Sequence, residues 1–231
     1  MNLFEWLLWY AFLPNTVSYL YMILYSIYDP PDKRNIPHFK KSLLITTRNL
    51  FIMPLILALP QLYDRNFIYK DMFTVCNEKL IYLPFEIYVK SFIGSFVFYL
   101  CHRLSHHAWF YEIIHKHHHR YTIVEPVSAF DVTVLEFILV YMPAGIISHQ
   151  LSPYIFYGSS CTPFISDITS RILEMLLSMH IHLKNIHRYD PLKYWPLYNT
   201  GTHVIHHKKL NYNYSAPNNY LPDKLFGTFL K

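Results

Sequence analysis

Long apolar runs, broken by short polar loops, constrain this chain more than anything else in it. Leu3–Tyr28 and Leu43–Tyr63 exceed, and Pro84–Cys101 approaches, the roughly 20 residues that a helix needs to cross hydrocarbon. Backbone groups in hydrocarbon must bond within their own segment, which leaves helices or closed barrels. Two more runs, Val132–Ser148 and Pro153–Met179, read as a hairpin with Gly145 and Pro153 near its turn, either fully spanning or re-entrant. The expected fold is all-α: an integral membrane helical bundle of about four membrane segments, with a kink near Pro14 in the first. The N-terminal run lacks a basic leader and a small-residue cleavage site, so it is read as a retained anchor. Residues 1–84 would supply N-terminal membrane helices and loops, and 85–231 the working domain.

The loops set the sidedness. Asp29–Ser42 carries Lys33, Arg34, Lys40 and Lys41 and is expected on the cytosolic face. Arg48 would snorkel to that same face. Counting crossings from there, the chain returns to the cytosol at His102 and again at His180. Those are the two places where histidine accumulates: seven in His102–His119 and six in His180–His207, of fifteen in all. A cytosolic, histidine-rich helical cap is therefore expected on one face of the membrane, with the tail from Arg188 closing over it.

Composition narrows the class. Charged residues make up 15%, against about 25% in a typical globular protein. Twenty-one tyrosines and four tryptophans suit membrane-interface contact. The net charge is +5 without a dense basic tract, so nucleic acid is excluded as a partner and an anionic membrane face fits the excess. Cys76, Cys101 and Cys161 are far apart, which argues against a disulfide framework and a thiolate zinc site. Glu86 and Lys90 stand four apart inside a run, either paired with each other or lying near the interface.

The histidine spacing points to metal. His102 and His106 share one helix face; His115, His118 and His119 repeat as H-x-x-H-H, and so do His203, His206 and His207. His182 and His187 could add two more donors. Imidazole suits iron, zinc, copper and nickel, and ten donors exceed the four that close one structural zinc, so two ions are expected. An uncharged imidazole shell calls for carboxylates behind it; Glu112, Glu125, Asp131, Glu136 and Asp190 are candidates. His107, His117 and His180 are expected at the surface or behind the ligands, and His38 and His149 are not expected to bind metal. Metalloprotease, hydrolase-elbow, P-loop and dinucleotide signatures are absent.

These residues resemble the fatty acid hydroxylase superfamily of membrane di-iron enzymes, over roughly the C-terminal 60% of the chain. H-R-L-S-H at 102–106, H-K-H-H-H at 115–119 and H-V-I-H-H at 203–207 look like its three histidine boxes. The K-K-L-N-Y-N-Y that follows is similar to the sterol desaturase branch, and D-K-L-F-G-T at 223–228 to the closing motif. Two departures stand out. Asn213-Tyr214-Ser215 replaces an asparagine-tyrosine-glycine, and four residues separate His182 from His187 where three are common. The resemblance implies an oxidoreductase with two irons, whose places zinc can take in a purified protein. It would use dioxygen to hydroxylate or desaturate a sterol or related lipid, at the endoplasmic reticulum. Electrons would come from a separate cytochrome b5 or reductase. Phe96, Phe98 and Tyr99 would either line the lipid cavity or pack between helices. The alternatives are a fatty acyl or sphingolipid hydroxylase or desaturase, and a non-catalytic membrane metal-binding protein.

Overall fold

A computed structural model describes residues 5, 7–32, 36–55, 76–77, 79–121, 123–158, 161, 163–183, 200–215 and 219–230. His187, Asp190, Lys33, Arg34, and positions 56–63 of the second apolar run lie outside them. The described residues are all helical, with no strand. Five helices make the bundle: α1 (Leu7–Tyr28), α2 (Ile36–Thr47, continued by a wide turn at Arg48–Ile52), α3 (Leu80–Ser105), α4 (Val134–Tyr157) and α5 (Phe164–His180). Two short helices follow, α6 (Thr200–Lys208) and α7 (Leu221–Leu225).

Three of these, α1, α3 and α4, are long and apolar enough to cross a membrane, and the chain reads as an integral membrane protein. Their outward rows, including Leu24, Ile27, Ile81, Phe85, Leu151 and Ile155, are exposed apolar side chains. In water such rows would form a large apolar patch of the kind that marks a membrane contact.

Contacts between helices fix their direction. Trp9 meets Phe164 at the start of α1 and α5, and the Tyr21 hydroxyl lies 3.2 Å from His180 Nδ1 at their ends, so the two run parallel. Phe12 stacks near Phe51, so α2 returns antiparallel to α1. The chain thus alternates between two ends of one bundle. Asp32 N–H donates to the Glu125 carboxylate at 2.6 Å, and Ser42 bonds Tyr121. The loop before α2 therefore shares its end with both histidine windows, as crossing parity predicts. The apolar core, Met22, Leu50, Val127, Ala129, Phe130 and Met179, lies just beneath that end.

Local chemistry places the helix limits, and it corrects the hairpin. Pro14 follows a wide helical turn at Leu7–Phe12, whose extra residue accommodates the ring, so the expected kink is a π-type widening. In the second half, α4 runs unbroken through both Gly145 and Pro153. Its turn comes instead at Gly158, whose φ of +65° suits a residue without Cβ.

Three further expectations are overturned. Cys76 and Cys161 form a disulfide. Separated by 85 positions, they meet because α3 begins where α4 ends, a proximity that spacing alone does not encode. Glu86 and Lys90 do not pair with each other. Both are buried, Glu86 bonded to Tyr157 and Lys90 to Asp167 and, at 2.8 Å, to Ser166. Arg48 does not snorkel either; its guanidinium turns inward to Asn49 Oδ1 and the Val132 carbonyl.

Candidate metal centre

At the end of α3 the chain leaves the bundle, and the first histidine box lies at that exit. His102 and His106 occupy successive turns at the C-terminus of α3. After a three-residue helical turn at Ala108–Phe110, a wide turn at Tyr111–His115 presents His115 inward. The 3₁₀ turn His118–Arg120 then breaks the helix. The second box is therefore not one face of one helix, as its spacing implies. His182 follows the end of α5, and α6 carries the third box.

Nine of the ten singled-out histidines assemble into two sets. His102, His106, His115, His119 and His206 form one, and His118, His182, His203 and His207 the other; within each set the donor nitrogens lie within 4.8 Å of one another. The two sets abut, with the His119 and His207 rings 4.6 Å apart. Each H-x-x-H-H box is shared between them by one rule. The outer pair, four apart, goes to one set (His115 with His119, His203 with His207), and the middle histidine, His118 or His206, crosses to the other.

The protons on these rings decide what the sets can hold. His102 Nδ1–H donates to the Tyr214 carbonyl at 2.7 Å, His206 Nδ1–H to Tyr212 at 2.6 Å, His182 Nδ1–H to Ser178 at 2.6 Å and His207 Nδ1–H to Tyr121 at 3.1 Å. His115 Nδ1–H donates to the Glu136 carboxylate at 2.6 Å. A neutral imidazole has one N–H, so each of these five rings points a bare Nε2 lone pair inward. Those lone pairs nearly touch other nitrogens: His102 Nε2 to His115 Nε2 is 2.8 Å, and His182 Nε2 to His203 Nε2 is 3.0 Å. In the first of these pairs both Nδ1 atoms are committed, so two bare lone pairs face each other and repel. Two nitrogens each about 2.1 Å from one cation, at right angles, would stand about 3 Å apart. The donor sets fit metal ions in chemistry and in spacing.

Electrostatics agrees. Burial, reinforced by neighbouring imidazoles, pushes His106, His115, His118, His119, His203 and His207 below the usual imidazole range; burial does the same for His206 and holds His182 down at about 4. The rings are neutral at physiological pH, the form in which histidine binds metal.

The remaining candidates fall elsewhere. Of the four carboxylate candidates among the described residues, Glu136 alone bonds a histidine of either set. Glu112 pairs with Lys116 at the surface, Glu125 caps the turn at Pro126–Phe130, and Asp131 bonds His117 and Arg120. His107 caps a turn, His149 bonds Asp167 and His180 faces Tyr21, all outside the two sets. Phe96 and Tyr99 pack on Phe226, whereas the Phe98 ring lies 5.1 Å from His102 and 5.5 Å from Tyr141, an apolar floor to the five-histidine set. Glu136 had one legible signal, being the one carboxylate inside the apolar run Val132–Ser148. The carbonyl acceptors had none.

The fold and site define a helical membrane protein with a polyhistidine donor cage at one end of its bundle. A family model described as Fatty acid hydroxylase matches residues 87–228, well over half of the chain, and the chain belongs to that family. A very-long-chain aldehyde decarbonylase of Oryza sativa is 29% identical over 150 residues, covering 58% of this chain and 21% of the relative. A provisionally named methylsterol monooxygenase of Dictyostelium discoideum is 29% identical over 148 residues, covering 64% of this chain and 51% of the relative. A Delta(7)-sterol-C5(6)-desaturase of Nicotiana tabacum is 26% identical over 224 residues, covering 91% and 74%. The chain thus spans about a fifth of the decarbonylase and half of the methylsterol monooxygenase. No solved structure matches it.

Proposed function

We propose that the chain is a membrane-bound non-haem di-iron oxygenase that hydroxylates or desaturates a sterol or related lipid. One observation carries the reading: inward-facing Nε2 atoms of neighbouring imidazoles stand 2.8–3.2 Å apart, and in the tightest pair, His102 and His115, both opposite ring nitrogens are committed, to the Tyr214 carbonyl and the Glu136 carboxylate. His102, His106, His115, His119 and His206 would hold one ion, and His118, His182, His203 and His207 the other, with His187 as a further donor. Bound iron supplies the activation of dioxygen and the oxidation of an unactivated carbon, chemistry that no side chain here performs.

The protein's part is placement. The Nδ1 bonds fix each ring's tautomer and angle, as outer partners of metal ligands do. Phe98 and Tyr141 form an apolar surface beside His102, suited to an alkyl or ring carbon and unsuited to water. Residues 85–231 make the catalytic unit, and 1–84 the membrane helices that flank it. The sterol class is favoured by the desaturase likeness, which runs over 91% of the chain. The decarbonylase likeness favours a long-chain acyl substrate as the second reading. The basic loop lies at the cage end and the disulfide at the other, which fits a cage facing a reducing cytosol across an endoplasmic reticulum membrane. Electrons would arrive there from a cytochrome b5 or a reductase.

Metal analysis joined to lipid profiling tests this, with wild type set against His118→Ala. Two irons per wild-type chain, dioxygen consumption with reductant, and a sterol change lost in the variant are expected. An altered acyl profile with unchanged sterols moves the substrate to the second reading. Two irons without dioxygen consumption ends the oxygenase reading.

A further inference from the structure

The closing segment at 223–228 supplies none of the nine clustered histidines, yet its carboxylate is buried at 1% exposure. Asp223 Oδ2 accepts the Ser215 N–H at 2.9 Å, and Oδ1 accepts the Tyr214 N–H at 2.8 Å and the Thr228 hydroxyl at 2.7 Å. The Ser215 N–H belongs to the same peptide unit as the Tyr214 carbonyl, which receives His102 Nδ1–H at 2.7 Å. One peptide thus joins a carboxylate to an imidazole: Asp223 draws on its N–H while His102 donates to its oxygen. Hydrogen bonds in such a chain polarise one another, so negative charge on Asp223 strengthens the carbonyl as an acceptor and the Nε2 lone pair as a donor.

The same stretch of backbone holds a second ring. Tyr212 O receives His206 Nδ1–H at 2.6 Å. Between the two carbonyls stands Asn213, with φ of +58°, a left-handed conformation that asparagine tolerates. Its side chain is clamped both ways to Leu230, at 2.8 Å each, and its N–H donates to the Thr228 carbonyl at 2.9 Å. His102 on α3 and His206 on α6 are far apart in sequence, but their rings lie 4.6 Å apart in the five-histidine set. Residues 223–230 therefore anchor the strap that orients two of that set's five donors. The partners of the other set, at Ser178 and Tyr121, lie outside it.

We infer that Asp223 and Asn213 are positioning residues for the ion of the five-histidine set, Asp223 through the 214–215 peptide and Asn213 through the strap's turn. The inference rests on reading that set as a metal site. In Asp223→Asn the amide places a donor against a peptide N–H and removes the charge.

The test uses the purified full chain, stripped by chelator and titrated with Co²⁺, followed by its visible absorption. Wild type takes up two ions. Asp223→Asn is expected to weaken one of them 10–100-fold, the cost usual for losing an outer partner, and to leave the other unchanged. The spectrum of its tighter ion should match that of His119→Ala, not His207→Ala. Asn213→Gly, which keeps the left-handed turn but loses the clamp, should weaken the same ion and carries the test if Asp223→Asn does not fold. Leu225→Ala, an exposed residue of α7, should change neither ion. Equal weakening of both ions, or of neither, overturns the inference. A wild type that takes up fewer than two ions removes the proposed function itself, and this inference with it.

Discussion

Two clusters of buried ionisable side chains occupy this bundle, and they are built on opposite plans. Between α3, α4 and α5, Lys90 bonds Asp167 and Ser166, and His149 bonds the same carboxylate at 2.8 Å. Cation meets anion, donor meets acceptor, and the group closes on itself. In the histidine cage like meets like, with imidazole nitrogen aimed at imidazole nitrogen. Ionisable residues inside a membrane span are functional candidates by default, so burial alone does not separate the two. Whether the partners within the cluster are complementary does separate them. The first cluster pairs opposite charges as folded, and the second gathers donors that could close around a cation.

The sharpest way to break that contrast is to remove one donor from each histidine set. His119→Ala and His207→Ala should each abolish lipid oxidation, a larger loss than the 10–100-fold typical of an outer partner, while retaining one ion by metal analysis. Full activity in either would dissolve the distinction. The helix-crossing cluster should respond in stability instead. Asp167→Ala leaves the Lys90 ammonium buried without its carboxylate, which typically costs about 3–5 kcal/mol. Replacing both, as Lys90→Met with Asp167→Leu, should recover most of it, because well-packed apolar residues often replace buried ion pairs at little cost. Both variants should keep two ions when folded. Thermal unfolding in detergent beside metal analysis reads both, and loss of an ion from the folded double variant would show that the clusters are coupled.

The same contrast explains what the sequence could reveal. Helix class, membrane character and the crossing parity rest on runs of twenty residues, where composition speaks for itself. The histidine boxes are legible because i, i+3 and i+4 spacing is local. What the spacing cannot say is that His118 and His206 cross to the other set. That depends on the 3₁₀ turn at His118–Arg120 in one case and on the approach of α6 in the other. Asp167 escaped notice because its partners, Lys90 and His149, come from two other helices. Cys76 and Cys161 escaped for the same reason. Pro153 misled because proline usually ends a helix, yet in α4 the chain turns only where Gly158 supplies a positive φ. Contacts fixed by helix direction, not by spacing, are the part that remained hidden.

Acid offers a gentler probe. Burial holds His182 down at about 4 and lowers the other rings of the two sets that lie beyond α3 from 6.5. Between those values the unfolded chain binds protons that the folded cage refuses. The cage's contribution is therefore complete above about 6.5 and is lost as pH falls from there toward 4. Chelator-stripped protein should melt at a steady temperature from pH 8 to 7 and at progressively lower ones below about 6.5. A flat profile down to pH 4 would mean that the rings are not buried in neutral form.

The smallest effect is expected at His107, which lies beside both boxes in sequence but in neither set. It is exposed, and its ring accepts the Trp109 N–H at 3.4 Å, a long bond that water can replace. Surface substitutions away from special features usually shift stability by no more than about 0.5 kcal/mol. His107→Ala should therefore keep two ions, the wild-type melting temperature and the lipid product. The comparison is stringent because His106, its neighbour, has Nε2 3.1 Å from His206 Nε2. Adjacent histidines on one short segment should differ between no effect and loss of an ion. If His107→Ala loses an ion as well, the sets are drawn too narrowly, and the first box contributes a third donor.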